Sequence, residues 1–559
     1  MLLNSDTLTP PLWLERLQAA AYSAPDIGTA CPLSNDATIL SYPDPDRAGP
    51  APDRAGTARL AAQAYRANRD TVVDIPTAVG FCMFIRHDCL DEVGLLREDV
   101  FAQGYGEEND FSRRARHLGW RHVAVPGAFV AHRGAGSFGA ARAHLAARNS
   151  RVLNRLHPGY DALIAEFRAA DPLASPRRKL DTVRWRTPDR AGRSVLLVSH
   201  DEGGGVERHL ASRCAALRAE GLRPIVLRPA PAAVVLGDGP AGGFPNLRFT
   251  LPDELPGLTR FLARERPACI EFHHLLGHDP GVMALPDRLG VPYRVRVHDY
   301  ACFCPRLVLV GGNRRYCGEP DIADCESCVA DHGRYMGDEM SVAALREGSA
   351  RFLGAAERVE VPSRDAAARL TRYFPALAPT VVPLEPEPDA IPQPKPPQCG
   401  PVRVCVVGAI GVEKGYDVLL GAARDAARRR LPLEFVVVGH TIDDERLLAT
   451  NRVFVTGPYK AEEVEELIRA QEADLALLPS VTPETWCFTL TEAWRAGLDV
   501  AAFDFGAQAE RIRQTGRGWL LPPGINSAAL NDRLLAIAQQ TGHQCTRQTA
   551  TFDCVPKPS

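Results

Sequence analysis

The chain contains no uninterrupted apolar run of roughly 18 or more residues, so the sequence predicts no membrane-spanning helix. Its opening, MLLNSDTLTPPLWLERL, lacks a basic segment followed by a long apolar one. No secretory signal is therefore expected, and the cytoplasm is the expected compartment. Neither sign of charge is in excess: 65 Lys and Arg stand against 68 Asp and Glu, for a formal net charge of −3. That balance argues against a nucleic-acid binder. The local run Arg177, Arg178, Lys179 reads as a solvated linker. The 15 cysteines are odd in number and scattered, which argues against a secreted disulfide scaffold. What is present is ordinary: 559 residues, 45% of them apolar, enough for two to four globular domains.

Proline-rich stretches divide the chain. Residues 42–56, YPDPDRAGPAPDRAG, read as a mobile surface loop. Residues 170–193 precede the apolar segment SVLLVSH, and residues 383–400 precede VRVCVVG. These breaks give units at 1–185, 193–385 and 400–545, with a semi-rigid connector over 386–399. In the last two units a β-branched strand runs into a glycine turn and then a helical pattern, which predicts parallel α/β sheets. FVVVG, RVFVTG and ADLALLPS add short buried strands. Two such domains joined by a connector are expected to face each other across a ligand-binding cleft. The polar tail over 539–559 is expected to be disordered.

The chemistry concentrates near the C-terminal end. GAIGVEKG, from Gly408 to Gly415, offers free amides at a tight turn and the point charge of Lys414. Glu484 and Glu492 lie eight positions apart in PETWCFTLTEAWRAG, and Glu510 follows downstream. Taken singly, each glutamate reads as a solvated helix-start acid. Together with the lysine turn they read as a site for a nucleotide-linked diphosphate, whose departure needs positive charge or amide dipoles. Gly203, Gly204 and Gly205 follow a strand directly and permit close backbone approach. His298 and Asp299 follow the strand-like VPYRVRV, at the end where open α/β folds carry chemistry.

Residues 193–535 resemble a retaining B-type glycosyltransferase of family four. The matching stretches are VSHDEGGGVERHL, VRVHDY, VPS at 361–363, VVGAIGVEKGYDVLL, FVVVG, ADLALLPS and the paired glutamates. The resemblance implies a GT-B fold of two Rossmann-like domains and a nucleotide-sugar donor. The glycine loop, Gly204 and Gly205, would lie near the donor phosphates and acceptor, with Gly408 and Glu510 on the donor side. Lys414 would hold the diphosphate, Glu484 would approach the donor sugar and Glu492 would hold the ribose. His298 would act on the catalytic side. A second basic residue usually precedes the lysine in that family. None does here, and Arg364 after VPS is a weak substitute. Retention would proceed without a protein nucleophile, the leaving phosphate assisting the incoming hydroxyl on the same face.

The segment after His298 carries Cys302, Cys304, Cys317, Cys325 and Cys328. Cys325-x-x-Cys328 has a zinc-knuckle spacing, and Cys304 and Cys317 complete four thiolates for a structural Zn²⁺. Free buried cysteines and a redox or iron–sulfur site are the alternatives.

The N-terminal unit carries Asp6 at a strand end, where a carboxylate can hold a divalent cation. Glu107, Glu108 and Asp110 open a helix, and His132 offers a further metal contact. The plain reading of the acids is helix-start electrostatics. The order resembles the C-terminal half of an inverting A-type glycosyltransferase of family two. By that resemblance NSDT is the metal motif, Asp6 and His132 touch Mg²⁺ or Mn²⁺, and EEND places Glu108 as catalytic base. The family's nucleotide-binding half is not represented before NSDT, so a partial GT-A-like domain is expected, from a misplaced start, a fragment or a decayed gene.

The resulting expectation is a hexosyltransferase acting with retention on a glycan or lipid-linked glycan in bacterial surface polysaccharide assembly, with peripheral membrane association. A decayed or non-catalytic glycan-binding protein and a sugar-nucleotide epimerase are the rival readings.

Overall fold

The computed structural model describes the chain except residues 102–105, 135–141, 187–191, 241, 337–339, 389–399 and 541–559. Most of the expected connector and nearly all of the expected disordered tail lie outside the described residues. Two compact units emerge: Met1–Ser194 with Leu217–Arg266, and Val195–Ala216 with Pro267–Ser559.

The first unit opens with β1 (Leu2–Leu3), β2 (Thr7–Leu8), β3 (Ile27–Leu33), β4 (Val73–Ile75), β5 (Cys82–Ile85), β6 (Arg121–Phe129) and β7 (Ala131–His132). Five of these form a mixed sheet in the order β1-β5-β3-β6-β4, with only β3 and β6 parallel. β2 and β7 make a separate antiparallel ladder that sets Thr7 opposite His132. After β8 (Ser194–Val198) begins the second unit, the chain returns to the first with β9 (Arg223–Ala230), β10 (Ala233–Gly237) and β11 (Arg248–Thr250), an antiparallel meander.

Two stretches expected to be solvated each hold a buried residue, while the rest of them is exposed or half-buried. The basic run lies on the helix Ala174–Trp185, and Arg177 is only 1% exposed, paired with Asp171. Arg178 pairs with Glu254 at 2.6 Å and covers the Phe249 ring. Tyr42, at the start of the expected loop, is 1% exposed and donates to Asp181, which also accepts from Asn246 at 3.0 Å. Tyr42 and the Nη2 group of Arg177 find partners, which permits their burial, while Arg177 Nε is buried without one.

The second unit holds two sheets. In the first, β8 neighbours β12 (Pro267–Phe272), followed by β13 (Tyr293–Arg296), β14 (Arg358–Val361) and β15 (Thr380–Val381), with β12 through β15 parallel. The other contains β16 (Val402–Ile410), β17 (Leu433–Thr441), β18 (Val453–Val455), β19 (Leu475–Leu478), β20 (Val500–Phe503) and β21 (Gly518–Leu521). It is parallel throughout, in the order β18-β17-β16-β19-β20-β21. β16 is apolar at nearly every position because both faces are covered. Val404 and Val406 pack with Leu419 and Ala423, while Cys405 and Val407 pack with Leu490 and Trp494. No helix among the described residues is long and apolar enough to cross a membrane.

Candidate functional site

β16 ends at Ile410, and a short turn carries Lys414 to Gly415 at the start of the helix Tyr416–Arg429. Gly408 sits at the end of β16 in register with Gly439. Gly415 has φ +87°, and a Cβ there would fall 1.9 Å from the carbonyl oxygen of Pro479. Only glycine fits, and the close passage lays Lys414 against the segment after β19. The Lys414 Nζ lies 2.8 Å from Glu484 Oε2. Burial lowers the ammonium's pKa, but Glu484 more than offsets it and the net shift is upward, so the charge is kept. Glu484 itself is pinned by its backbone. Its N–H donates to Gln508 Oε1 at 3.3 Å and its carbonyl accepts from Ala507 N at 2.8 Å.

Glu492 lies on the helix Phe488–Arg495 and is 5% exposed. Burial raises its carboxyl above the ordinary range, and Arg208, which donates to it, opposes that rise. Arg208 comes from the helix Gly204–Ala219, also donates to Glu385 at 3.2 Å, and stands 4.7 Å over the Phe488 ring. A Cβ on Gly205 would meet the same ring at 3.0 Å, so the glycine loop is what lets this helix come so close. Arg511, 2% exposed, donates to the Cys487 carbonyl and Thr491 Oγ1, both at 2.7 Å, and to Glu387. It thereby fixes the first turn of the helix that bears Glu492.

Sequence reasoning missed Arg208 and Arg511. It sought a second cation just before Lys414, whereas Arg208 lies some 200 residues upstream. The available signal was the arginine one turn into the helix after the three glycines. Glu510 does not join Lys414. Its carboxylate accepts from Arg364 N at 3.2 Å and Asp365 N at 2.9 Å, which commits it to the N-terminus of the helix Arg364–Tyr373. Arg364 is exposed there.

His298 follows β13. Its Nε2 lies 3.1 Å from His273 Nδ1, and its carbonyl accepts from the Thr485 hydroxyl, the residue next to Glu484. The histidine is thus tied by its backbone to the glutamate segment. Asp299 faces His274 at 2.8 Å. Beside them opens a cavity of about 300 Å³, walled by Phe272, Leu275, Met283, Leu345 and Phe352.

The cysteine loop follows directly. The Cys304 sulfur accepts backbone N–H bonds from Arg306 and Leu309, and Cys317 accepts one from Glu319 at 3.4 Å. Cys325 and Cys328 stand one turn apart on the helix Ile322–His332, and Arg346 lies 3.3 Å from the Cys325 sulfur. Burial pushes the Cys304 thiol up to about 11, and the charges of Cys317 and Cys325 add to that rise. All four are free thiols. Among the described residues, only His209, His273 and His298 bring three potential ligand atoms within 4.8 Å of one another; the four sulfurs are not drawn that close.

In the first unit, the β2–β7 ladder brings His132 Nε2 to 3.4 Å from Asp6 Oδ1, which is buried and has no hydrogen-bond donor. An orphaned, shielded carboxylate oxygen beside an imidazole nitrogen fits a divalent cation. His132 Nδ1 is held by the Asp36 carbonyl at 2.8 Å, and its ring stacks on Phe81. Gly80, the preceding residue, packs against the Glu108 carboxyl. Glu108 accepts from Gly106 N at 3.3 Å and Asn109 Nδ2 at 3.1 Å. Burial, with the charge of Glu107 added, pushes its carboxyl up to about 7.

Residues 389–549 match the family model described as glycosyl transferases group 1. The chain carries a domain of that group and is an enzyme of the glycosyltransferase class. Similar solved structures include Anabaena HepE in complex with UDP, at 14% identity and TM-score 0.40 over 63% of this chain and 91% of that one. The sucrose-phosphate synthase of Thermosynechococcus elongatus is similar at 18% identity and TM-score 0.42, over 63% and 91%. The pneumococcal O-GlcNAc transferase GtfA, in complex with UDP and GlcNAc, is similar at 12% identity and TM-score 0.42, over 62% and 91%. No curated protein sequence matches the chain.

Proposed function

We propose that the second unit transfers a hexose from a nucleotide-sugar donor to a glycan or lipid-linked glycan, with retention, in the assembly of a bacterial surface polysaccharide. The observation that carries this reading is the Lys414–Glu484 pair, followed eight residues along the chain by the buried Glu492 with its own cation, Arg208. An arriving diphosphate would take Lys414 and the amides of its turn, stabilising the charge that builds as the glycosidic bond breaks. Glu484 would then be released toward the transferred sugar. Glu492 would accept from ribose hydroxyls. No protein nucleophile is required, because the leaving phosphate can take the proton of the incoming hydroxyl on the same face. His298 and Asp299, beside the apolar cavity, belong to the acceptor side in this reading.

The four thiols Cys304, Cys317, Cys325 and Cys328 would hold a structural Zn²⁺. Two of the sulfurs accept turn amides and the other two stand one turn apart on a helix, and four thiols are a donor set whose chemistry suits zinc. In the first unit, Asp6 and His132 would hold Mg²⁺ or Mn²⁺ on a diphosphate, with Glu108 as base.

The test is calorimetry with GDP-, UDP-, dTDP- and ADP-sugars on the full chain. One nucleotide family is expected to bind, and Lys414→Ala is expected to cost about 1.5–3 kcal/mol, roughly 10- to 150-fold in affinity. Folded protein that binds none of the four would favour a decayed or non-catalytic module.

A further inference from the structure

The hydrogen bonds around His298 can be followed ring by ring. His209 Nδ1 lies 3.2 Å from the Leu384 carbonyl, which only accepts, so Nδ1 carries the proton. Its Nε2 is then a lone pair, and it accepts from the Arg296 guanidinium at 3.3 Å. His273 Nε2 is buried, with no hydrogen-bond partner nearer than Glu271, whose carboxylate stands at 3.7 Å. Glu271 is fully buried but held ionised by Arg213, which reaches both of its oxygens at 2.7 and 3.0 Å. A lone pair facing that carboxylate would be repelled, so His273 carries its proton on Nε2. Its Nδ1 is therefore an acceptor, and among the described residues the one group on it is His298 Nε2 at 3.1 Å. His298 must donate there, which leaves Nδ1 of His298 as an unprotonated lone pair with no partner among the described residues.

We propose that Glu271 and His273 are positioning residues that lock His298 in the Nε2–H tautomer, so that its Nδ1 presents a fixed hydrogen-bond acceptor to a substrate hydroxyl. The unused ring nitrogen is set by what the other one bonds, as in other histidine sites. Such an acceptor recognises a hydroxyl at its position and refuses a carbonyl or ether oxygen there. This rests on the proposed transfer reaction for the identity of the hydroxyl, but the tautomer itself does not.

The same three rings are the set with nitrogens within 4.8 Å of one another, so a transition-metal ion is the competing occupant. Two features oppose it. The His209 Nε2 lone pair is already spent on a permanent cation, Arg296, and a divalent ion would sit beside that charge. His298 Nε2 and His273 Nδ1 already satisfy each other.

Long-range ¹H–¹⁵N correlation spectra of the full chain, deuterated and labelled at histidine, read the tautomer directly. His298 is expected as Nε2–H in the wild type. His273→Phe should release it to a mixed tautomer. His273→Gln, whose amide can both donate toward Glu271 and accept from His298, should restore it. On whichever donor proves active, His273→Phe should lower kcat by about 10- to 100-fold, leaving nucleotide affinity within twofold, and His273→Gln should recover most of it. His298 found as Nδ1–H in the wild type overturns the proposal even if no transferase activity is detected. So does tight binding of Zn²⁺ or Co²⁺ that is abolished by His273→Phe and kept when Cys325 and Cys328 are changed to Ser. Equal kcat in the two His273 variants would leave His273 without a positioning role and would also overturn it. If the spectra behave as expected and no donor is turned over, the function reading fails and the tautomer lock stands.

Discussion

Glu108 in the first unit and Glu271 in the second are both shielded carboxylates, and they titrate in opposite directions. Burial raises both. Glu108 receives only an amide N–H and a side-chain amide, beside the like charge of Glu107, and ends near 7. Glu271 also has His273 and the fork of Arg213, which overcome burial and hold it well below the ordinary carboxylate range. The contrast extends to the sites. In the second unit Glu484 has Lys414, Glu492 has Arg208 and Glu387 has Arg511. In the first, among the described residues, Asp6 meets only an imidazole and Glu108 meets no cation. A site whose acids are already paired is ready to exchange partners with a charged ligand. A site whose acids are unpaired must take up a proton or recruit a metal ion.

The largest effect expected from breaking this contrast is at Glu271. Glu271→Gln leaves the half-buried Arg213 beside a neutral amide, while Arg296 keeps Glu360 at 2.8 Å, and loss of one partner of a buried pair costs about 3–5 kcal/mol. Denaturant unfolding at pH 7 should show that loss. A change below about 1 kcal/mol, the scale of an exposed pair, would mean the pairing does not separate the two units. The pH behaviour follows from the sign of the shift. The stabilisation is present above the unfolded carboxylate pKa and is lost as pH falls toward the lower folded value.

Arg208→Ala comes next. It removes the one contact that opposes the effect of burial on Glu492. The carboxyl should rise further, and a protonated Glu492 accepts less well from a ribose. Donor affinity of the variant should therefore weaken as pH falls, by up to about tenfold per pH unit, and the fall should begin at a higher pH than in the wild type. Parallel pH profiles for the two proteins would remove Arg208 from the donor site.

Much of this was legible in the chain and some was not, for reasons of range. The α/β character of β16 and its glycine-lysine turn could be read locally, because a strand buried on both faces is apolar throughout and a turn at φ +87° demands glycine. Lys414 and Glu484 could be paired from motif alone. Arg208 could not, because its partner Glu492 lies 284 positions away. The Glu271–His273 line was invisible for the same reason: nothing in EFHH marks those residues until Arg213 and His298 are brought to them. The burial of Tyr42 and Arg177 within stretches read as surface was missed, since composition reports polarity and not whether a polar group finds a partner. Glu510 was placed with the donor site by position, and the helix amides it caps become apparent only in three dimensions.

The smallest expected effect tests the other half of the contrast. A carboxyl whose folded pKa is raised from about 4.5 to about 7 binds its proton more tightly in the folded state than in the unfolded one. Its contribution to stability is therefore fully present below the unfolded value and is lost as pH rises through the folded one. The first unit should lose on the order of 2 kcal/mol between pH 4.5 and 7.5 from this group, after allowing for its partial contact with solvent. Glu108→Gln cannot ionise, so its unfolding curve should be flatter over that window and the variant should be at least as stable as the wild type at pH 8. Mn²⁺ supplies the sharper arm. If the unpaired acids of this unit recruit a cation, then Mn²⁺ with a nucleoside diphosphate should stabilise the wild type, and Asp6→Asn should abolish that gain while Glu108→Gln keeps it. A Glu108→Gln variant less stable than the wild type at pH 8, with no response to Mn²⁺ in either protein, would show that these acids are ordinary helix-start and strand-end residues, and that the contrast between Glu108 and Glu271 does not extend to a site.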